Sequence, residues 1–124
     1  MITEIETQAE VISLSGAEAG RAIWLAVDCA IEAGLSAKHA RYMFDAMLET
    51  IVDEMSGTEA ALFSASAYET LPMSATSTAD RAKIDQDAWR AYEVFVGDAR
   101  EAAAEDRADY YRDLARDERM MERA

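Results

Sequence analysis

The stretch SGAEAGRAIWLAVDCAIEAG, residues 15–34, decides the fold class. Its polar residues Glu18, Arg21, Asp28 and Glu32 collect on one narrow face of a helix. Ala22, Ile23, Trp24, Ala26, Val27, Ala30 and Ile31 are left for burial over most of the circumference. Ser15 stands where an N-cap is wanted, Glu18 completes a capping box three residues on, and Gly34 follows the last turn. A helix over residues 17–33 with so wide an apolar surface is expected to be the central one of a bundle.

Outward from this segment the chain repeats the same chemistry. Ser36 caps a following helix that Gly57 stops, with Ala40, Met43, Phe44, Met47, Leu48, Ile51 and Met55 at three- and four-residue spacing. The short connection through Gly34 and Leu35 implies a helical hairpin. Upstream, Ile2, Ile5, Ala9 and Ile12 fit a helical face over residues 3–14, although residues 10–14 also fit an extended strand; Gly16 is read as the break before the next helix. A short helix over residues 59–70 precedes Pro72, which cannot continue it. Residues 73–78 read as a loop, and Thr78 as the cap of a helix running almost to the end. Ile84, Ala88, Tyr92, Phe95, Ala99, Ala102, Asp106, Tyr110, Leu114 and Met121 trace its rough apolar stripe, and Gly97 is where a kink or split is expected. The expected architecture is an all-α, compact bundle of four to five helices with a long C-terminal helix. It forms one domain, with a core over about residues 3–97 and a charged arm over about 98–124.

Composition supports a folded chain and narrows its partners. Apolar residues make up 51% of the 124, so the high charge does not imply disorder. The formal net charge is −13, from 12 Lys and Arg against 25 Asp and Glu. Every arginine-rich stretch is interleaved with acids, which excludes direct nucleic-acid binding through a basic patch. The longest apolar run, residues 22–27, is far too short to span a bilayer, and acidity disfavours anionic lipid surfaces. No membrane association is expected. An N-terminus carrying Glu4, Glu6 and Glu10 is unlike a secretory signal, and the single Cys29, expected as a buried apolar residue, fits an intracellular, cytoplasmic protein.

Motifs for chemistry are missing. His39 is the only histidine, which removes paired-histidine zinc sites and di-iron bundle motifs, and its place in a first helical turn makes it a surface residue. The five glycines are scattered, so there is no phosphate loop and no nucleophile elbow. Residues 80–91 lack the Gly and Glu of an EF-hand. No cofactor or metal is implied, and the chain is expected to be non-enzymatic.

Charge placement is more informative than charge total. Residues 1–72 hold three basic residues against twelve acidic, a net −9, whereas residues 73–124 hold nine against thirteen, a net −4. Asp45, Glu49 and Asp53 form a row about 6 Å from one to the next, each pair repelling by about 0.2–0.5 kcal/mol. Asp53, Glu54 and Glu32 lie in last helical turns, where the dipole disfavours anions. The row resembles a phosphate strand in charge and rough spacing. In the C-terminal arm, Asp109 with Arg112 and Asp113 with Arg116 are expected as local pairs.

Two function classes follow. The first is a small acidic inhibitor or adaptor that occupies a basic, nucleic-acid-binding surface of a partner protein through Asp28, Glu32, Asp45, Glu49, Asp53 and Glu54. In size, acidity, helicity and lack of catalytic motifs it resembles the type of phage-encoded DNA mimics and many anti-CRISPR proteins, without a shared motif. The alternative is a structural or assembly bundle that homo-oligomerises, a homodimer being one form, through Tyr110, Tyr111, Leu114 and Met121 of the C-terminal helix.

Overall fold

A computed structural model describes residues 3–123, with side chains up to residue 121; Ile2, counted above in the first apolar face, lies outside them. The described residues form four helices and one 3-10 turn, with no strand: α1 Glu4–Glu32, α2 Ala37–Val52, α3 Gly57–Tyr68, the turn Met73–Ala75, and α4 Thr78–Arg123. The all-α bundle with a long C-terminal helix is as expected.

Residues 3–32 do not divide at Gly16. Thr3, not Ser15, caps α1: its hydroxyl accepts from the Glu6 amide while the Glu6 carboxylate accepts from the Thr3 amide, a reciprocal box. Gly16 and Gly20 lie inside this helix and are buried against α3. A Cβ on Gly16 would collide with the Phe63 carbonyl oxygen, and one on Gly20 with the Thr70 hydroxyl and, at 2.9 Å, the Ala67 Cα. The two glycines therefore let two helix backbones touch. Gly16 meets Phe63 and Gly20 meets Ala67, so α1 and α3 run parallel.

Around this parallel pair the other helices pack on separate sides. Ile23, Val27, Ala40, Phe44, Leu48, Phe63, Ala67, Leu71 and Ile84 form the main core. A smaller cluster of Ala9, Leu62 and Val96 holds α4 to α1 and α3. Glu6 pairs with Arg100 at 2.9 Å and Ala9 clusters with Val96, so α4 runs antiparallel to α1. Leu62, Phe63, Ser66 and Ala67 are all buried, because α3 is wrapped by the three other helices. The sequence assigned the central place to the second half of α1, yet Ala22, Leu25, Ala26 and Cys29 there are exposed. A helix so rich in alanine looks apolar all round, but only Gly16, Gly20, Ile23 and Val27 are buried there, with Ala19, Trp24 and Ile31 partly covered at the edge of the core.

The helix ends are built as local chemistry dictates. Gly34, with φ 114°, closes α1: its amide donates to the Ile31 carbonyl and the Leu35 amide to the Ala30 carbonyl. Ser36 caps α2. Ser77, not Thr78, caps α4, exchanging hydrogen bonds with Asp80. One turn later the Arg81 guanidinium donates to the Leu71 and Glu69 carbonyls at 3.2 and 3.0 Å, so a cation covers the end of α3. Burial pushes the Glu69 carboxyl above its ordinary value; Asp85 adds to this and Arg81 opposes it.

Helix α4 is unbroken through Gly97, which is exposed and meets no neighbour, so the helix does not split there. Its 46 residues span about 70 Å. Among the described residues one ion pair, Glu6 with Arg100, joins it to α1. Beyond that pair about 30 Å of helix extends past the start of α1, at about 1.5 Å per residue. Among the described residues no helix is long and apolar enough to cross a membrane.

The packing separates two kinds of glycine. Gly16→Ala should lose about 1–3 kcal/mol of stability through overpacking, despite alanine's better helix propensity. Gly97→Ala should gain up to about 1 kcal/mol. Urea unfolding followed by circular dichroism measures both, and equal midpoints for the two variants would refute the α1–α3 contact.

Candidate functional site

Of the carboxylates proposed to face a partner, Asp45 has a structural task. It lies on the side of α2 facing α3, where its Oδ1 accepts from the Tyr68 hydroxyl at 2.7 Å and from Arg41 Nε at 3.3 Å. The Arg41 guanidinium lies 5.3 Å from the centre of the Tyr68 ring, which in turn tilts against Phe44 at 5.4 Å. Asp45 is thus compensated, and the three-carboxylate row is shortened. Its electrostatic oddity disappears once an i−4 arginine and a long-range phenol are counted. Burial, with the hydrogen bond and charge of Asp45, pushes the Tyr68 phenol up to about 12.

The remaining acids behave differently. Asp28, Glu32, Glu49, Asp53 and Glu54 are exposed, and none has a cationic partner among the described ion pairs. Helices α1 and α2 carry no basic residue in their last turns. Asp53 caps α2, its amide donating to the Glu49 carbonyl, and Glu54 follows in the turn. Glu49 and Asp53 flank a shallow hollow of about 370 Å³ beside Tyr68. Asp28 and Glu32 sit near the start of α2, whereas Asp53 closes its far end. At about 1.5 Å per residue, α2 measures about 24 Å along its axis from its start beside Glu32 to Asp53. The residues therefore form two acidic patches at opposite ends of a helical hairpin.

A groove between α3 and α4 has no counterpart in the sequence reading. It measures about 580 Å³, floored by Ala61, Ala65 and Ile84 and edged by Arg41, Lys83 and Arg90 with Asp80 and Asp87. Its signal was the pair of alanines four apart on α3, which keeps that helix face low. Charges of both signs on its rim give it no preference for an ion.

On the arm, Tyr110, Tyr111, Leu114 and Met121 are all exposed, with fractions of 62, 66, 42 and 79%. The two tyrosine rings meet edge to face at 5.7 Å. Arg112 pairs with Asp109 at 3.3 Å and Arg116 with Asp113 at 4.0 Å, the local pairs expected. His39 is exposed, with its Nδ1 2.6 Å from the Ser36 hydroxyl. Cys29 is exposed rather than buried, because it falls outside the core stripe of α1. Among the described residues no three His, Cys, Asp or Glu side chains gather as a metal site.

Comparison with protein-family models, with curated proteins and with solved structures finds no match to the chain. The Asp45–Tyr68 contact has a pH signature. The phenol's value in the fold exceeds its ordinary 10.0, so its contribution to stability is complete below pH 10.0 and is lost as pH rises towards about 12. Tyr68→Phe should remove a phenol titrating near 12 from the phenolate absorbance curve and cost ~1 kcal/mol for the lost hydrogen bond. Asp45→Asn should bring that phenol's value down. An absorbance titration unchanged by either substitution would contradict the contact.

Proposed function

We propose that the chain is a non-enzymatic, acidic protein-binding module that engages a basic surface of a partner protein, of the kind that otherwise holds nucleic acid. The observation supporting this reading is the uncompensated charge of α1 and α2: exposed Asp28, Glu32, Glu49, Asp53 and Glu54 lack ion-pair partners among the described residues. A net −9 over residues 1–72 steers a cationic surface towards this part of the bundle and speeds encounter in a salt-dependent way. Two acidic patches separated by a hairpin's length suit an elongated basic groove better than a compact pocket. An inhibitor that mimics DNA, as anti-CRISPR and other phage proteins do, is one form of this reading, supported by the exposed negative charge and not by a continuous carboxylate row.

A second reading is supported by the arm. A helix that runs well beyond its bundle, carrying Tyr110, Leu114 and Met121 in the open, is a poor monomer surface and a good self-association surface. Assembly through the arm and recognition through the acidic patches use different parts of the molecule and are compatible.

Glu49→Lys, Asp53→Lys and Glu54→Lys together should abolish capture of a nucleic-acid-handling protein from the source organism at low salt, with helical circular dichroism unchanged. Moderate salt should release the partner from the unsubstituted chain. Capture indifferent to the three reversals would sink the acidic-patch reading. Deleting residues 105–124 should leave the bundle folded and monomeric; an oligomer surviving the deletion would sink the arm reading.

A further inference from the structure

We infer that the arm of α4 pairs antiparallel with the arm of a second copy of this chain, in a register set by Arg107 and Asp117; the inference rests on the arm being the self-association surface. Tyr92, Val96 and Ala99 are shielded where α4 lies on the bundle. At about 100° per residue the same helix face continues as Ala103, Arg107, Tyr110, Leu114, Asp117 and Met121, all within about 40° of one line. These alternate by four and three, the spacing of a two-helix seam. The stripe that packs α4 into its own bundle therefore runs on, unpartnered, along the arm.

Two charges interrupt this seam, and neither has a local answer. Arg107 has Ala103, Ala104, Tyr110 and Tyr111 at three and four residues' distance, whereas Asp117 has Asp113, Leu114, Met120 and Met121. Neither makes an ion pair among the described residues, while Arg112 and Arg116 beside them do. In an antiparallel pair centred on residue 112, Arg107 faces Asp117 of the second copy, Tyr110 faces Leu114, and small Ala103 faces long Met121. The two-fold axis repeats each pairing, so every layer of the seam is matched. A parallel pair would set Arg107 against Arg107 and Asp117 against Asp117. It would also bring two bodies of net charge −13 side by side, whereas the antiparallel pair holds them at opposite ends of the overlap.

Sedimentation across a concentration series tests the inference with the full chain. Its mass should rise from 13.7 kDa towards twice that value, and Leu114→Asp should abolish the rise. Arg107→Asp and Asp117→Arg should each weaken association by about tenfold, by placing like charges across the seam, and the double variant should restore it. General repulsion between acidic chains gives a different pattern, because Asp117→Arg lowers net charge and would then strengthen association. Single variants without effect, or a double variant no better than either, would overturn the register while leaving the arm reading in place. A mass of 13.7 kDa throughout, or a rise indifferent to Leu114→Asp, would overturn both. Helical circular dichroism on each variant separates lost pairing from lost fold.

Discussion

Everything in this bundle is arranged around the contact of α1 with α3 at Gly16 and Gly20. Two glycines inside a helix cost about 2 kcal/mol in propensity, and at Gly16 and Gly20 the absence of a side chain offsets that cost by allowing close packing. Here it lets the α1 backbone rest on the backbone of Phe63 and on Ala67. The close approach brings Ile23 and Val27 into the layer of Phe44 and Leu48 on one side of the pair. On the other side it brings Ala9 and Leu62 against Val96. With the two parallel helices fixed, α2 and α4 fill the remaining sides, and α4 is left longer than anything available to pack against it.

The same geometry sorts the charges into three kinds. Asp45 and Arg41 are absorbed into packing around Tyr68, and Arg81 closes the end of α3. The arm holds local pairs between Asp109 and Arg112 and between Asp113 and Arg116. Among the charges left over, those of Glu32, Asp53 and Glu54 lie at the two ends of the α1–α2 hairpin, where acids stand on helix C-termini without a cation. Such an arrangement costs little in water and gains most when a cationic surface displaces the solvent, which makes it a surface for recognition more than for stability.

The helical class, the caps at Ser36 and Gly34, the long α4 and the local pairs of the arm were legible in the sequence, because each depends on residues within about one turn of one another. The misreadings share one cause. Gly16 and Ser15 looked like a helix boundary because glycine is a poor helix former and serine a good cap, whereas the reason for Gly16 is Phe63, far along the chain. Ala22, Ala26 and Cys29 looked buried because periodicity cannot tell a covered alanine from an uncovered one. Asp45 looked unpaired although Arg41 stands one turn before it, because the contact that draws both into packing comes from Tyr68 on another helix.

By itself the sequence determined that the chain is helical, that its acidity is concentrated over positions 1–72, and that its last helix carries an apolar stripe past Gly97. These follow from propensity, charge and periodicity, which act over a few residues. Tertiary structure alone decided which stripe is covered and which charges are answered. It joined Glu4–Glu32 into one helix, withdrew Asp45 from the acidic row, and left Tyr110, Leu114 and Met121 beyond the end of the bundle. The physical reason is that burial and ion pairing depend on distance in space, and the approach of α1 to α3 sets those distances for the whole molecule.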